Sequence, residues 1–199
     1  MKAERKGMLI VISGPSGTGK GTICARMLEE DPSLVFSVSA TTRLPREGER
    51  EGVHYFFMSE AEYDRLLAED AFLEYASVHG HRYGTLKSQV RDQIERGISV
   101  VLDIDPQGAV QVMEKQPDCV SIFILPPSYA ELQRRLRTRN TDDPAEIERR
   151  LGNARGEIGQ MRKYGYAVVN DDLDAACDQV RAIIRAEKQR TTRFFPVVE

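Results

Sequence analysis

The chain has only three cysteines and three histidines among its 199 residues. Cys24, Cys119 and Cys177 are odd in number and far apart. That excludes a disulfide framework and predicts reduced thiols buried as small hydrophobes. His54, His79 and His81 have no further Cys or His at ligand spacing, so His79-Gly80-His81 does not read as a zinc site. No apolar run approaches the ~20 residues that a bilayer-spanning helix needs. The N-terminal stretch Met1-Lys2-Ala3-Glu4-Arg5-Lys6 leads into only a short strand-like run, without the apolar region and small-residue cleavage site of a secretory signal. These absences predict a cytoplasmic protein with no membrane partner. Basic charge is also short, at a net −3. A nucleic-acid partner is therefore not expected, since its binders normally carry a basic footprint. There is no internal repeat and no low-complexity linker.

What is present fits one α/β domain with a small inserted module. Hydrophobic residues make up 41% and charged residues 30%, the balance of an ordinary globule. Of 28 Lys and Arg, 21 are Arg. Arginine makes bidentate bonds to phosphate that lysine cannot, so an acidic chain with clustered arginines suits a small anionic substrate.

Residues 14 to 22 read Gly14-Pro15-Ser16-Gly17-Thr18-Gly19-Lys20-Gly21-Thr22, directly after the apolar run Leu9–Ile12. A glycine-rich turn between a buried strand and a helix lets successive N–H groups point at phosphate oxygens. The helix N-terminus faces the same anion, and Lys20 adds a charge for the β- and γ-phosphates. The loop predicts nucleoside triphosphate binding. In the usual pattern a hydroxyl follows the lysine and serves Mg²⁺; here Gly21 takes that place and Thr22 comes next.

Strand-like runs are expected at Leu9–Ile12, Phe36–Ala40, Ile98–Leu102, Val120–Leu125 and Ala167–Val169. Helices are expected at Lys20–Glu30, Lys87–Arg96, Ala109–Lys115, Tyr129–Arg139, Ala145–Lys163 and Leu173–Gln189. The alternation implies a mainly parallel sheet with helices on both faces. Ser59-x-x-Glu62 and Ser128-x-x-Glu131 have the pattern of capping boxes, and Asp142-Asp143-Pro144 that of a helix start. Residues 37–90 break the alternation. They hold a turn-rich piece, a short strand (Val53–Phe57), one helix and a run at Phe72–Val78, and so read as an inserted mixed module. Residues 134–150, dense in Arg and acids, read as a helical hairpin over the site, and Thr191–Glu199 as a frayed end.

The segment Ser37 to Glu49 places Arg43 and Arg46 three apart around Pro45, two forks able to grip one phosphate monoester, with Tyr55 near enough to add a hydroxyl. By itself this run reads as a solvated loop. Beside its companions it does not. Gly-Pro-Ser-Gly-Thr-Gly-Lys, Ser-x-Thr-Thr-Arg-x-Pro-Arg-x-Gly-Glu, Tyr55-Phe56-Phe57, Phe72-Leu73-Glu74-Tyr75, Tyr83-Gly84-Thr85, Leu102 to Gly108 and Val169-Asn170-Asp171-Asp172-Leu173 together resemble the guanylate kinase family. They stand in its order and spacing from about Gly7 to Glu187.

The resemblance implies a phosphate-loop kinase with a five-stranded, mainly parallel core (7–36 and 91–187), an inserted GMP module (37–90), a helical lid (134–150) and a tail (188–199). It implies transfer of the γ-phosphate of ATP to GMP, with dGMP also a substrate, in purine nucleotide metabolism. Arg43, Arg46, Tyr55 and Tyr83 match positions that hold the GMP phosphate; Ser39, Glu74, Thr85 and Asp103 match those around guanine. Gly14, Pro15, Ser16, Gly17, Thr18, Gly19, Lys20, Gly21 and Thr22 would hold ATP, with Asn170 near its adenine. Arg135, Arg139 and Arg150 would join Lys20 in neutralising charge during transfer. Asn140 replaces the lid's customary glycine, and Arg134, Arg137 and Arg149 read as solvated or salt-bridged.

Chemistry supports the guanine assignment. A carboxylate at 74 can accept from N1–H and N2–H together, and Thr85 can donate to O6, whereas adenine would leave Glu74 unpaired. Mg²⁺ is the expected cofactor, held through phosphates and water with Thr22 or Asp103. Asp103, at a strand's C-terminal end, can serve the metal, the guanine or both. The rivals are a kinase for another small phosphorylated substrate and a non-catalytic scaffold domain of the same fold.

Overall fold

Leu9-Ile10-Val11-Ile12-Ser13 is buried at all five positions, as a strand covered on both faces must be. Around it the computed structural model describes residues 3–78, 80–138 and 144–196. In chain order the elements are β1 (Ala3–Arg5), β2 (Leu9–Ser13), α1 (Lys20–Glu30), β3 (Leu34–Phe36), β4 (Ala40–Thr41), β5 (Phe56–Phe57), α2 (Glu60–Ala68), β6 (Phe72–Val78), β7 (His81–Leu86), α3 (Lys87–Glu95), β8 (Ser99–Asp103), α4 (Pro106–Lys115), β9 (Val120–Leu125), α5 (Tyr129–Thr138), α6 (Pro144–Gly159), β10 (Tyr166–Val169), α7 (Leu173–Glu187) and β11 (Phe194–Pro196). A 3-10 turn, Gln160–Lys163, precedes β10.

The main sheet is parallel throughout, in the order β10-β9-β2-β8-β3, and is the five-stranded core that the alternation predicts. Side chains alternate across β2. Ile10 and Ile12 pack with Ile23, Cys24 and Met27 of α1 and Val180 and Ile184 of α7. Leu9 and Val11 pack on the other face with Val90 of α3 and Ala109 and Val112 of α4. Burial pushes the Cys24 thiol up to about 12, which makes it inert. From β2 the chain moves out to β3 and back to β8, then crosses to β9 on the other side. The crevice at the C-terminal ends of β2, β8 and β9 is where an open α/β sheet binds ligands.

A second sheet, β5-β4-β7-β6, belongs to the region between β3 and α3. The expected strand Phe36–Ala40 is divided: Ser37 N–H donates to Val101 O (3.0 Å), and the chain then leaves the parallel sheet to pair at β4 in the other. The expected strand Val53–Phe57 shortens to Phe56–Phe57, because the N–H groups of Val53 and His54 both turn back to Arg50 O. Strand β7 was not anticipated; His81, Arg82 and Gly84 hide its alternation. Between Phe72 and Glu74 the pairing of β6 with β7 shifts register. The shift sends Phe72 into the module core with Ala40 and Tyr63, and Leu73 into the main core beside Val100 and Leu102. Gln111 of α4 pairs with both the N–H and the C=O of Tyr75 (3.2 and 3.3 Å), satisfying the free edge of β6.

Helices α5 and α6 share their own small core of Leu132, Leu136, Leu151 and Ala154. The expected hairpin therefore begins earlier and ends later than 134–150. The Asp142-Asp143-Pro144 start signal has its two aspartates outside the described residues, as do Arg139 and Asn140. The expected helix Ala145–Lys163 stops at Gly159 and finishes as the 3-10 turn. Ser59 and Ser128 hydroxyls accept the N–H of Glu62 and Glu131 at 3.1 Å each, the hydroxyl half of the expected boxes.

The C-terminal stretch is not frayed through Pro196. Strand β11 pairs antiparallel with β1, and Arg193, only 4% exposed, holds its base. Its guanidinium pairs with Glu187 and donates to Asp118 O (2.5 Å); Tyr166 donates to the same Glu187 (2.5 Å). Burial pushes the Glu187 carboxyl up, but the bonds from Tyr166 and Arg193 outweigh it and hold the group below its usual range. A lowered carboxyl contributes stability that is present above its unfolded pKa of ~4.3 and is lost as pH falls through the folded value. Replacing Arg193 by Met leaves a buried carboxylate short of its partner, at a cost of about 3 kcal/mol at pH 7. Urea unfolding should show that loss undiminished between pH 8 and 6 and shrinking below the ordinary glutamate range. A difference independent of pH would refute the ion pair's role.

Candidate active site

The glycine-rich loop joins β2 to α1 at the crevice. Gly19 is the N-cap of α1 with φ +89°, a left-handed conformation, and a Cβ there would lie 2.4 Å from Asn170 Nδ2. Thr18 is buried; its hydroxyl donates to Pro15 O (2.9 Å), stapling the loop from within. Asn170 is buried too, and its amide donates to Thr18 O (2.8 Å). The residue expected near an adenine is thus seated under the loop as a buttress. Lys20 Nζ donates to Gly14 O (2.6 Å) and Pro15 O (3.1 Å), so the ammonium is held inside the loop's curl. Burial lowers its pKa, against the pull of Asp103, Glu157 and Asp105.

The helical hairpin rests on this loop. Gly17 leaves room for Leu136 and Leu132 of α5. Arg150 of α6 donates to Ser16 Oγ (3.0 Å). Arg135 Nε donates to Glu131 (2.7 Å), which also takes a two-pronged bond from Arg134; these bonds hold the Glu131 carboxyl down at about 2. A cleft of about 320 Å³ runs between Gly17, Gly19 and this arginine pair. Arg134, read from sequence as a surface partner, therefore lines the cleft as well. Arg137 does pair outward, with Glu148.

A second cleft, of about 280 Å³, opens between the two sheets and is lined by Ser39, His54, Tyr55, Thr85 and Asp103, among others. Glu74, 8% exposed, is joined to this wall through Thr85, whose hydroxyl its Oε1 accepts at 2.7 Å. Burial raises the Glu74 carboxyl, with Asp105 adding repulsion and Thr85 opposing. Gly108 of α4 admits this carboxylate, since a Cβ there would sit 3.2 Å from Oε2. Asp105 is spent on capping α4, accepting from Gln107 and Gly108 N–H at 2.8 and 2.9 Å.

At the cleft's other end Arg43 lies over the Tyr55 ring (5.3 Å), and Tyr55 meets Tyr83 edge-on at 6.0 Å. Glu49 organises both arginines. Its carboxylate accepts from Arg43 Nη2 (2.8 Å) and from the Arg46 backbone N–H (2.7 Å), which holds it at about 2. Gly48, at φ +83°, makes the turn that allows this. Glu49 stands within the Ser37–Glu49 motif, but its residue type and spacing alone assign it no role. Glu131 is expected from sequence only as the acid of a capping box, and His54 only as a remote companion to His79-Gly80-His81. An acid three to six residues from clustered arginines was the available signal in each acidic case.

Asp103 ends β8 directly opposite Ile12 of β2, beside the loop. Burial of its surroundings raises its carboxyl, and Lys20 pulls it back down. The position after Lys20 is open: a Cβ on Gly21 would stand 3.7 Å from Asp103 Oδ2. Thr22 is exposed on the first turn of α1. Among the described residues no group of His, Cys, Asp and Glu is arranged to hold a metal by itself, and no helix is long and apolar enough to cross a membrane.

Residues 6–187 match the family model described as guanylate kinase. The chain is 52% identical over 193 residues to the guanylate kinase of Caldanaerobacter subterraneus subsp. tengcongensis, covering 97% of this chain and 94% of that one. It is 52% identical over 194 residues to that of Rhizobium meliloti, with 97% and 89% covered. Among solved structures, the crystal structure of guanylate kinase from Anaplasma phagocytophilum superposes with a TM-score of 0.73 at 36% identity, over 97% of this chain and 92% of that one.

Proposed function

The chain belongs to the guanylate kinase family and transfers the γ-phosphate of ATP to GMP; on that premise we propose which of its residues do so. The cleft between the sheets takes GMP, with dGMP as a second acceptor, and the glycine-rich loop takes ATP. The observation that carries this is the buried Glu74–Thr85 pair, whose threonine lines the cleft. A carboxylate held in an apolar wall needs donors, and guanine N1–H and N2–H₂ supply two side by side. Because the Thr85 proton already goes to Glu74, its hydroxyl meets the base as an acceptor rather than as the O6 donor expected from sequence. Arg43, Arg46, Tyr55 and Tyr83 grip the GMP phosphate, with Glu49 setting the forks' separation. Ser39 and Asp103 complete the cleft wall.

On the donor side the loop from Gly14 to Thr22 offers its N–H groups, and Lys20 supplies charge between the two clefts. Arg135 and Arg150, reaching from the hairpin, spread positive charge over the transferring phosphoryl group; Arg139 is assigned the same role by resemblance alone. The ionised GMP phosphate is itself the nucleophile. The residues also fit Mg²⁺: the space that Gly21 leaves before Asp103 suits a hydrated ion held by phosphates and that carboxylate. Bound there, the ion would neutralise charge on the phosphate oxygens. The free thiols of Cys24, Cys119 and Cys177 support a cytoplasmic setting.

The test is a coupled assay of ADP release across nucleoside monophosphates. GMP should turn over fastest, dGMP more slowly, and AMP and UMP at least ~10³-fold less efficiently. Comparable efficiency with AMP would overturn the role given to Glu74.

A further inference from the structure

Few side-chain donors in the acceptor cleft are uncommitted and able to meet a base. Glu74 and Asp103 only accept when ionised, and the Thr85 proton is committed to Glu74. Ser37 Oγ belongs to a lining residue but is itself enclosed beneath the wall. Arg43 is engaged by Glu49 and Leu44 O. Yet guanine presents two acceptors, O6 and N7, on the edge away from N2, and both lose water on entering the cleft. Ser39 can serve one of them.

Tyr55 in the same wall is given to the GMP phosphate, which leaves exposed His54 as a further side-chain donor for the base. The histidine sits in a tight turn: its N–H bonds to Arg50 O (3.1 Å), while its ring Nδ1 accepts the Arg50 N–H (3.0 Å). A ring nitrogen that accepts a backbone N–H carries no proton, so the neutral imidazole keeps its hydrogen on Nε2. The turn thus fixes both the tautomer and the ring's attachment, leaving Nε2–H as the ring's donor. We propose that His54, through Nε2–H, donates to the O6/N7 edge of guanine and is a specificity residue for GMP. The inference rests on the reading of this cleft as the GMP site. It adds a second means of rejecting adenine, whose N6–H₂ group would meet a donor where guanine offers O6.

The test measures kcat/KM for wild type, His54→Ala and His54→Gln with GMP, 7-deaza-GMP (carbon in place of N7) and 6-thio-GMP (a weaker acceptor at position 6). His54→Ala should raise KM for GMP about tenfold with kcat little changed, and His54→Gln, which restores an N–H, should recover part of the loss. The deciding readout is coupling. For one analogue, the wild-type penalty should disappear in His54→Ala, because the hydrogen bond has already gone. Additive penalties for both analogues, or an unchanged KM for GMP in His54→Ala, would overturn the proposal. Glu74→Gln run alongside separates the two readings. If that variant keeps wild-type GMP kinetics, the assignment of the cleft fails; if it collapses while His54→Ala does not, only the role of His54 fails.

Discussion

Lys20→Ala should reduce phosphoryl transfer by about 10³-fold or more while leaving GMP binding close to wild type. The ammonium lies within the curl of the loop, between Gly14 O and Pro15 O, and no other lysine is near enough in sequence to replace it. Its burial is worthwhile only if a strong anion arrives, since desolvation already lowers its pKa. Removing it strips charge from the transferring group but touches neither Glu74 nor the Arg43–Tyr55–Tyr83 cluster. Steady-state turnover and calorimetric titration with GMP therefore respond differently. Wild-type-like turnover would refute the role of Lys20; a parallel loss of GMP affinity would mean the two clefts are one site.

Glu74→Gln should lower kcat/KM for GMP by about 10²- to 10³-fold, and should not create activity on AMP. The amide keeps the volume and an oxygen for Thr85 but gives up the charged acceptor for N1–H and N2–H₂. The same substitution should stabilise the ligand-free protein at neutral pH. Burial raises the Glu74 carboxyl, so its folded state prefers the proton. Ionisation then costs stability at every pH above the unfolded value, and a neutral amide removes that cost. Activity falls while the melting temperature rises, the trade expected of a binding group held in an unfavourable place. A lower melting temperature would show that Glu74 serves the fold instead. Acidification acts on the same group: protonation removes its charge and turns one of its two acceptor oxygens into a donor. KM for GMP should therefore begin to climb at a higher pH than an ordinary glutamate would dictate.

Much of this arrangement is legible in the sequence. The continuous apolar run at β2, the glycines after it and the alternation of helical and apolar segments depend on local chemistry, and they appear where expected except at Phe36–Ala40, which divides between the two sheets, and at the end of α6. The module between the sheets was less legible. Its strands are two to seven residues long, and β7 carries His, Arg and Gly in place of a clean alternation. The order of the C-terminal stretch is not legible in sequence, because its anchor is a single arginine whose partners lie 6 and 75 residues away.

By itself the sequence determined that a triphosphate loop follows a buried strand, that arginines outnumber lysines, and that Glu74, Thr85, Arg43 and Tyr83 stand in an order resembling one kinase family. These depend on residue type and spacing, which the chain carries directly. Only the tertiary structure decided who holds whom. It set Asn170 under the loop, gave the Thr85 proton to Glu74, put Glu49 between two arginines and brought His54 to the cleft wall. Hydrogen bonds of that kind depend on where two sheets meet and on a one-residue register shift in β6. Both are set by packing between segments far apart in the chain.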